Sequence, residues 1–144
     1  MERKFDRKTI LIGDDDAPTL RVLGAICKTR GYTVFTANNA GDLKYIFFRE
    51  RPGKLFIDMD FGKVNGLDFY EYEMVPAMLA KNWQYDGMVT LLTAVLAQPD
   101  VIVRAHRLGM RFSNKTRQFI SRVHAVHTEE MLLHNNAFAA CPSF

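Results

Sequence analysis

The sequence predicts an α/β fold, a doubly wound five-stranded parallel sheet with helices on both faces. Its 144 residues correspond to about one domain. Short apolar runs alternate five times with segments whose apolar residues recur at helical spacing. These runs are continuously apolar, which is typical of parallel strands buried on both sides. Alternation of this kind predicts a single sheet that is covered by helices.

The five strands are predicted from runs that are apolar, β-branched or aromatic. The first and third runs end at aspartates, and the fourth ends at a threonine. The predicted strands are residues 10–13, 32–36, 54–58, 88–92 and 110–113.

The helices are predicted from apolar spacing together with residues that begin or end helices. Proline suits a first helical turn and glycine a helix end. Asn38 or Asn39 suits the N-cap of the second helix. Pro76 is expected to kink the third helix or end its first half, because proline lacks the backbone N–H. The predicted helices extend from Pro18 to Gly31, from the asparagine cap to Pro52, from Leu67 to about Lys81, from Pro99 to Gly109, and from a Thr116 cap to Val126.

Composition and segment lengths exclude several other classes. Hydrophobic residues make up 48% and charged residues 24% of the chain, so neither a disordered chain nor a coiled coil is expected. No stretch approaches the roughly 18 apolar residues of a membrane span, and residues 1–8 lack the apolar run of a signal peptide. We therefore expect a cytoplasmic protein without a membrane partner. Cys27 and Cys141 lie far apart, so neither a disulfide framework nor a zinc site is expected.

Polar side chains follow the ends of several predicted strands, namely Asp14, Asp15, Asp58, Thr93 and Lys115. In open parallel sheets, ligands bind beside the carboxyl ends of the strands. Three carboxylates at one edge repel one another, and a divalent cation would remove that repulsion. Oxygen ligands without His or Cys favour Mg²⁺ or Mn²⁺. The lysine and the hydroxyl suit phosphoryl oxygens, and one carboxylate could act as nucleophile to form an acyl phosphate.

The order and spacing of these residues resemble the receiver domain of two-component response regulators across residues 8–126. Residues 10–16, Ile-Leu-Ile-Gly-Asp-Asp-Asp, are similar to the first strand and acidic pair of that family. Residues 55–58, Leu-Phe-Ile-Asp, resemble its third strand and phosphoacceptor, and Asn65-Gly66 follows at the family's spacing. The resemblance implies a flavodoxin-like (βα)5 receiver fold and a single-domain, chemotaxis-regulator-like phosphoprotein.

The resemblance implies a metal site around the first and third strands. Asp15 would bind the ion directly, and Asp14 would act through a water molecule. Asp58 and the backbone carbonyl of Asp60 would complete the protein ligands, with Mg²⁺ or Mn²⁺ as the cofactor. The third aspartate of the triplet, Asp16, would instead cap the first helix.

The resemblance also implies which residues carry the phosphoryl chemistry. Asp58, rather than Asp60, would be the phosphoacceptor. Thr93 would be the switch hydroxyl, and Lys115 would pair with the phosphoryl group. Phe112, three residues before the lysine, matches the family's switch aromatic, and plain core packing is the alternative for it.

The chain departs from the family pattern in several places, one of which is a segment from Gly109 to Lys115 that is one residue shorter than usual. Phe61-Gly62 stands where the family usually has a Met-Pro pair before the glycine, so a more mobile loop is expected. Thr116 replaces the proline after the lysine, and a trans peptide is expected because a cis bond without proline costs about 3 to 4 kcal/mol. The segment between Gly66 and Thr93 is several residues longer, which predicts an enlarged third helix or following loop.

Basic residues are concentrated between Arg104 and Arg122, where six basic and no acidic side chains occur. We call this stretch the basic segment. It is interpreted either as a solvated helix face or as a docking face for an acidic protein. Direct DNA binding is not expected, because no recognised motif or interleaved aromatic residues accompany the charges.

The predicted domain organisation is an N-terminal extension (1–7), a receiver domain (8–126) and a C-terminal helical extension or flexible tail (127–144). The tail is too short for an effector domain, so output is expected through protein contacts. Pairing with a second copy of the chain is left open.

The sequence therefore predicts a stand-alone response regulator that accepts a phosphoryl group from a histidine kinase or a histidine phosphotransfer protein. Its chemistry would be Mg²⁺-dependent self-phosphorylation and autodephosphorylation, without turnover of a substrate. The alternative is a pseudo-receiver that is never phosphorylated and serves as an adaptor or dimerisation module. A Mg²⁺-dependent aspartyl phosphatase is disfavoured, because Asp58-Met59-Asp60 lies on the wrong strand for that class.

Overall fold

The computed structural model describes residues 5–93, 98–115, 117–123 and 125–126. The predictions for the Thr116 cap and peptide bond and for the tail of residues 127–144 lie outside the described residues.

The strands form a five-stranded parallel sheet and a separate antiparallel hairpin. The sheet contains β1 (Asp6–Gly13), β2 (Thr33–Ala37), β3 (Pro52–Asp58), β6 (Met88–Leu92) and β7 (Met110–Ser113), and the hairpin contains β4 (Asp60–Phe61) and β5 (Val64–Asn65). The strand order in the sheet is β2-β1-β3-β6-β7, and every neighbouring pair is parallel. This confirms the doubly wound parallel sheet, whose order reverses between β1 and β3.

Helices follow the strands in the predicted alternation. They are α1 (Ala17–Thr29), α2 (Ala40–Glu50), α3 (Gly66–Phe69), a π-helical turn (Tyr70–Met74), α4 (Val75–Ala80), α5 (Pro99–Arg107) and α6 (Arg117–Arg122). The Asp16 side chain accepts a hydrogen bond from the Thr19 backbone N–H at 3.0 Å, which confirms the predicted cap of α1. Asn39 caps α2 by accepting from the Asp42 N–H at 2.8 Å. Asn39 is thus the cap among the two candidate asparagines.

Two hydrophobic layers enclose the sheet because successive strand residues point to opposite faces. In β1, Leu11 packs into one layer, whereas Ile10 and Ile12 pack into the other. The Leu11 layer includes residues from α2, α3, α4 and α5. The opposite layer includes residues from α1 and α6. This division of helices between the faces is the one that a doubly wound sheet requires.

The segment predicted as the third helix is helical from Gly66 to Ala80 with an irregularity in its middle. The Val75 N–H donates to the carbonyl of Tyr70, five residues back, which is the π-helical spacing. Pro76 follows immediately and has no N–H to donate. The helix therefore continues through Pro76 by shifting its hydrogen-bond pattern, rather than ending there.

The loop after α4 packs beneath the sheet, at the amino ends of its strands. Trp83 and Tyr85 lie with ring centroids 5.2 and 4.5 Å from that of Phe5. The Tyr85 hydroxyl donates to the carbonyl of Pro52, the first residue of β3, at 2.8 Å. We call the group Phe5, Phe47, Phe48, Trp83 and Tyr85 the aromatic cluster. It accounts for the extra length that the sequence shows between Gly66 and Thr93.

Candidate functional site

The carboxyl ends of four strands deliver the predicted site residues to one edge of the sheet. Asp14 follows β1, Asp58 ends β3, Thr93 follows β6, and Lys115 lies two residues after β7. The Met59 N–H donates to the Leu92 carbonyl at 2.8 Å, which sets the end of β3 beside that of β6. A parallel sheet makes this assembly unavoidable, because all its strands end at the same edge.

Three carboxylates lie together at this edge. Asp14 is fully buried and Asp58 is 4% exposed, whereas Asp15 is exposed to solvent. Each of the three offers a carboxylate oxygen, and these oxygens lie within 4.8 Å of one another. We call Asp14, Asp15 and Asp58 the acidic cluster.

One ammonium group bridges the two buried carboxylates. The Nζ atom of Lys115 lies 2.8 Å from Oδ2 of Asp14 and 3.2 Å from Oδ1 of Asp58. Burial alone would lower the pKa of Lys115, but the bond to Asp14 and the charge of Asp58 outweigh it and raise that pKa. Lys115 is therefore charged at neutral pH and compensates part of the cluster's negative charge.

The carboxyl group of Asp58 is electrostatically disfavoured in its charged form. Burial raises the pKa of Asp58 to about 6, and the charge of Asp14 adds to this rise, while Lys115 opposes it. The backbone N–H of Asp60 donates to Asp58 Oδ1 at 3.3 Å. At neutral pH Asp58 is consequently ionised, although its charge is only partly balanced.

The acidic cluster fits a divalent cation. Its donors are all carboxylate oxygens, the ligand type that Mg²⁺ and Mn²⁺ prefer, and one of them is open to solvent. Such an ion would bind to Asp14, Asp15 and Asp58 and would neutralise charge that Lys115 leaves unbalanced. Asp60, whose side chain is exposed, lies at the start of β4 directly beside this cluster.

The loop after Asp58 is organised by the β4–β5 hairpin. Phe61 is buried and lies against Gly13, where a Cβ atom would come within 2.7 Å of the Phe61 ring. Gly66 approaches the Asp58 carbonyl so closely that a Cβ atom would lie 2.1 Å from it. Both glycines are therefore required by close packing beside the acidic cluster. Phe61 anchors this loop by its burial, and the mobility predicted from Phe61-Gly62 stays a prediction.

Thr93 directly follows β6 and Phe112 lies in β7, the two strands that continue this edge. The Thr93 N–H donates to the Ser113 carbonyl at 3.0 Å, which ties the end of β6 to β7. Phe112 is half-buried and packs against the Leu11 layer. This packing accounts for the position of Phe112 in the described chain, while its role as a switch aromatic stays a prediction.

Three cations of the basic segment have partners within the protein. Arg104 forms ion pairs with Asp68 at 2.7 Å and Glu71 at 2.5 Å, so α5 is bonded to α3 and the π-helical turn. Lys115 contacts the acidic cluster. The guanidinium of Arg122 donates to the Phe112 carbonyl at 3.3 and 3.4 Å.

The remaining positive charge of the basic segment is smaller than the sequence suggested. Arg107 is exposed and Arg111 is half-buried, and the side chain of Arg117 lies outside the described part of the chain. Sequence reasoning missed the Arg104 ion pairs. The only signal for them was the spacing of Asp68 and Glu71, which places both carboxylates on one side of a predicted helix.

None of the described helices is long and apolar enough to cross a lipid bilayer.

Comparison with solved structures finds this architecture in response regulator receiver domains. A CheY-like receiver domain protein from Methanospirillum hungatei is 19% identical, with a TM-score of 0.68 over 93% of this chain and 99% of that chain. A response regulator from Burkholderia pseudomallei, solved with a phosphorylated aspartic acid, a calcium ion and citrate, is 22% identical, with a TM-score of 0.68 over 95% and 76% of the two chains. The signal receiver domain of a DNA-binding response regulator from Colwellia psychrerythraea is 20% identical, with a TM-score of 0.68 over 90% and 99%.

No protein-family model and no curated protein sequence matches the chain. The similarity to solved structures covers nearly the whole chain, and at this level of identity it establishes the fold. The chain therefore has the receiver-domain fold of response regulators.

Proposed function

We propose that this protein is a response regulator receiver that accepts a phosphoryl group on Asp58. The observation that carries the proposal is the position of the Lys115 ammonium, which contacts Asp14 and Asp58 beside the third carboxylate of the acidic cluster. A nucleophilic carboxylate, a cation for the phosphoryl oxygens and oxygen ligands for a metal are the components that phosphoryl transfer needs. Other receiver-fold proteins support the proposal, since one of them was solved with a phosphorylated aspartic acid.

In the proposed reaction, an oxygen of the Asp58 carboxylate attacks phosphorus. The P–O bond to Asp58 forms as the P–N bond of a donor phosphohistidine breaks, and the leaving imidazole takes up a proton. The product is an acyl phosphate on Asp58 and a neutral histidine. Lys115 pairs with a phosphoryl oxygen of this product, and the Thr93 hydroxyl donates to another. A Mg²⁺ or Mn²⁺ ion bound to the acidic cluster supplies charge neutralisation for the transferred group.

The proposed output is a shift between two conformations. The bond between the phosphoryl group and Thr93 draws the end of β6 toward Asp58, and Phe112 on the adjacent β7 repacks. The donor would be a histidine kinase or a histidine phosphotransfer protein. The recipient would be a protein, contacted through the exposed part of the basic segment around Arg107, or a second copy of the chain. We propose that the protein acts in the cytoplasm and does not contact DNA directly.

Intact-protein mass spectrometry after incubation with acetyl phosphate and Mg²⁺ tests the proposal. We expect the wild-type protein to gain about 80 Da, the mass of one phosphoryl group, and acetate to be released. The Asp58→Asn variant should gain nothing, because it lacks the nucleophile. The matched control is Asp60→Asn, which removes the neighbouring carboxylate and should still be labelled.

Absence of labelling in a folded wild-type protein would contradict phosphoacceptance and favour the adaptor or dimerisation alternative. Labelling that persists in Asp58→Asn but disappears in Asp60→Asn would show that Asp60, and not Asp58, is the phosphoacceptor. Omitting Mg²⁺ gives a further control, since labelling should then fall to near background.

A further inference from the structure

An open groove of about 640 Å³ lies between α2 and the end of α4, away from the acidic cluster. Its lining residues recur at helical spacing, with Lys44, Tyr45 and Phe48 on α2 facing Ala77, Ala80 and Lys81. The volume is in the range of ligand-binding pockets in proteins. The feature therefore has the size and regularity of a docking groove.

The floor of the groove is apolar and accessible. Ala77 and Ala80 are too small to fill the space between the helices, so the half-buried Phe48 ring faces the groove. Tyr45 is 65% exposed at the same place. The lining on α2 extends over nine residues, from Gly41 to Arg49, which is about 12 Å or two helical turns. A second helix laid along α2 would match this length.

The rim of the groove is positive, and no acidic residue lines it within the described part of the chain. Lys44 is 3.7 Å from Glu73, an exposed pair of the kind that contributes little. Arg49 pairs with its sequence neighbour Glu50 at 2.7 Å. The Lys81 ammonium lies 5.3 Å from the Phe48 ring centroid and, among the described residues, forms no ion pair. Apolar space bordered by cations is complementary to an apolar stripe bordered by carboxylates.

We propose that this groove is the docking site for an acidic amphipathic helix of a partner protein. An apolar side chain of that helix enters above Phe48, between Ala77 and Ala80. Carboxylates on either side of it pair with Lys44 and with Lys81. A small anion would leave most of the open groove unfilled, whereas a helix covers its whole length. None of these residues belongs to the acidic cluster, so the groove is a surface separate from that site.

Fluorescence anisotropy with a synthetic peptide tests the proposal on the full chain. The probe is a fluorescein-labelled helix of about 18 residues with leucines along one face and glutamates on both borders of that face. We expect saturable binding that weakens at least about tenfold when lysines replace the glutamates, and that weakens on raising the salt to about 0.5 M. Lys81→Glu should weaken binding about tenfold, and Ala80→Trp, which fills the groove, should abolish it. The matched control is Lys28→Glu, an exposed charge reversal on α1, which should change binding less than about twofold.

Amide chemical-shift mapping with the same peptide shows which residues of the protein the peptide contacts. Shifts concentrated on α2 and α4 would support the proposal, and the spectra also show that each variant is folded. Absence of binding, shifts concentrated on the basic segment, or equal effects of Lys81→Glu and Lys28→Glu would overturn it. A single-stranded oligonucleotide that displaces the peptide from the same residues would overturn the assignment to a protein partner.

Discussion

The two ends of the five-stranded sheet differ in how they use buried side chains. At the carboxyl ends, Asp14 and Asp58 are buried beside each other and share a single ammonium, that of Lys115. At the amino ends, the aromatic cluster packs ring against ring, with the Arg51 guanidinium 4.1 Å from the Trp83 centroid. Burying like charges costs stability, whereas burying aromatic surface provides it. The comparison indicates that packing stabilises the fold at one end, while buried like charges reduce its stability at the other.

The largest expected effect is the loss of packing in the aromatic cluster. Phe47 is fully buried there, with ring centroids 5.1 to 6.4 Å from those of Phe5, Phe48, Trp83 and Tyr85. Phe47→Ala should lower the free energy of unfolding by about 3 to 5 kcal/mol, because it removes buried surface and leaves a cavity. Urea denaturation measures this change. Tyr45 lies on the same helix and is mostly exposed, so Tyr45→Ala should lower the free energy of unfolding by less than about 1 kcal/mol. An equal loss in the two variants would show that burial in the aromatic cluster adds no stability.

The next effect has the opposite sign and lies in the acidic cluster. Asp58→Asn should raise the free energy of unfolding of the metal-free protein at pH 7 by about 1 to 3 kcal/mol, because it removes a charge that burial and Asp14 disfavour. The pKa of Asp58 in the folded protein is about 6, above the ordinary value of an aspartate, so the folded state binds more protons between these two values. Wild-type stability should therefore fall as pH rises from 4 through 6, relative to the variant.

Urea denaturation at several pH values in EDTA measures this difference. The advantage of Asp58→Asn should be absent near pH 4 and complete above pH 7. Asp60→Asn, at an exposed position beside the cluster, should follow the wild-type profile. A variant Asp58→Asn that is less stable than the wild type at pH 7 would show that Lys115 more than compensates the buried charges.

A divalent cation should remove part of the same penalty. Mg²⁺ at ten times its dissociation constant should stabilise the wild type by about 1.4 kcal/mol, since binding to the folded state alone shifts the equilibrium by this amount. Thermal unfolding with and without Mg²⁺ measures the shift. Asp15→Asn should reduce the response and Asp58→Asn should eliminate it, because each removes an oxygen of the cluster. A response of equal size in all three proteins would place the ion elsewhere.

The acidic cluster was predictable from the sequence, and its surroundings were less so. Asp14, Asp58 and Lys115 follow apolar runs, and parallel topology brings all such ends to one edge. The caps Asp16 and Asn39 were predictable for a similar reason, since a cap depends only on residues three positions away. Predicting these features requires only the local sequence pattern and the order of the strands.

Features that depend on distant packing were not predictable. The sequence predicts Arg104 as part of a positive face, but Arg104 pairs with carboxylates that precede it by more than 30 residues, because α5 lies beside α3. The hairpin after Asp58 depends on Phe61 reaching Gly13 in another strand. The aromatic cluster likewise joins three separate segments of the chain. No periodicity in one segment encodes such contacts.

The smallest expected effect concerns the charge at the aromatic end. Arg51 ends α2 in a left-handed conformation with φ of 51°, a region that costs a residue with a side chain about 1 kcal/mol. Its guanidinium also lies within 6 Å of both the Trp83 and Phe5 centroids, an arrangement that contributes about 0.5 to 1 kcal/mol. Arg51→Ala keeps the backbone cost and loses the ring contacts, so it should lower the free energy of unfolding by about 0.5 to 1 kcal/mol. Arg49 lies two residues earlier, in α2, and is exposed. Arg49→Ala should therefore lower the free energy of unfolding by less than Arg51→Ala in the same urea experiment. If the two variants were equally stable, the cation would add nothing to the aromatic cluster, and the stability of that end would come from ring packing alone.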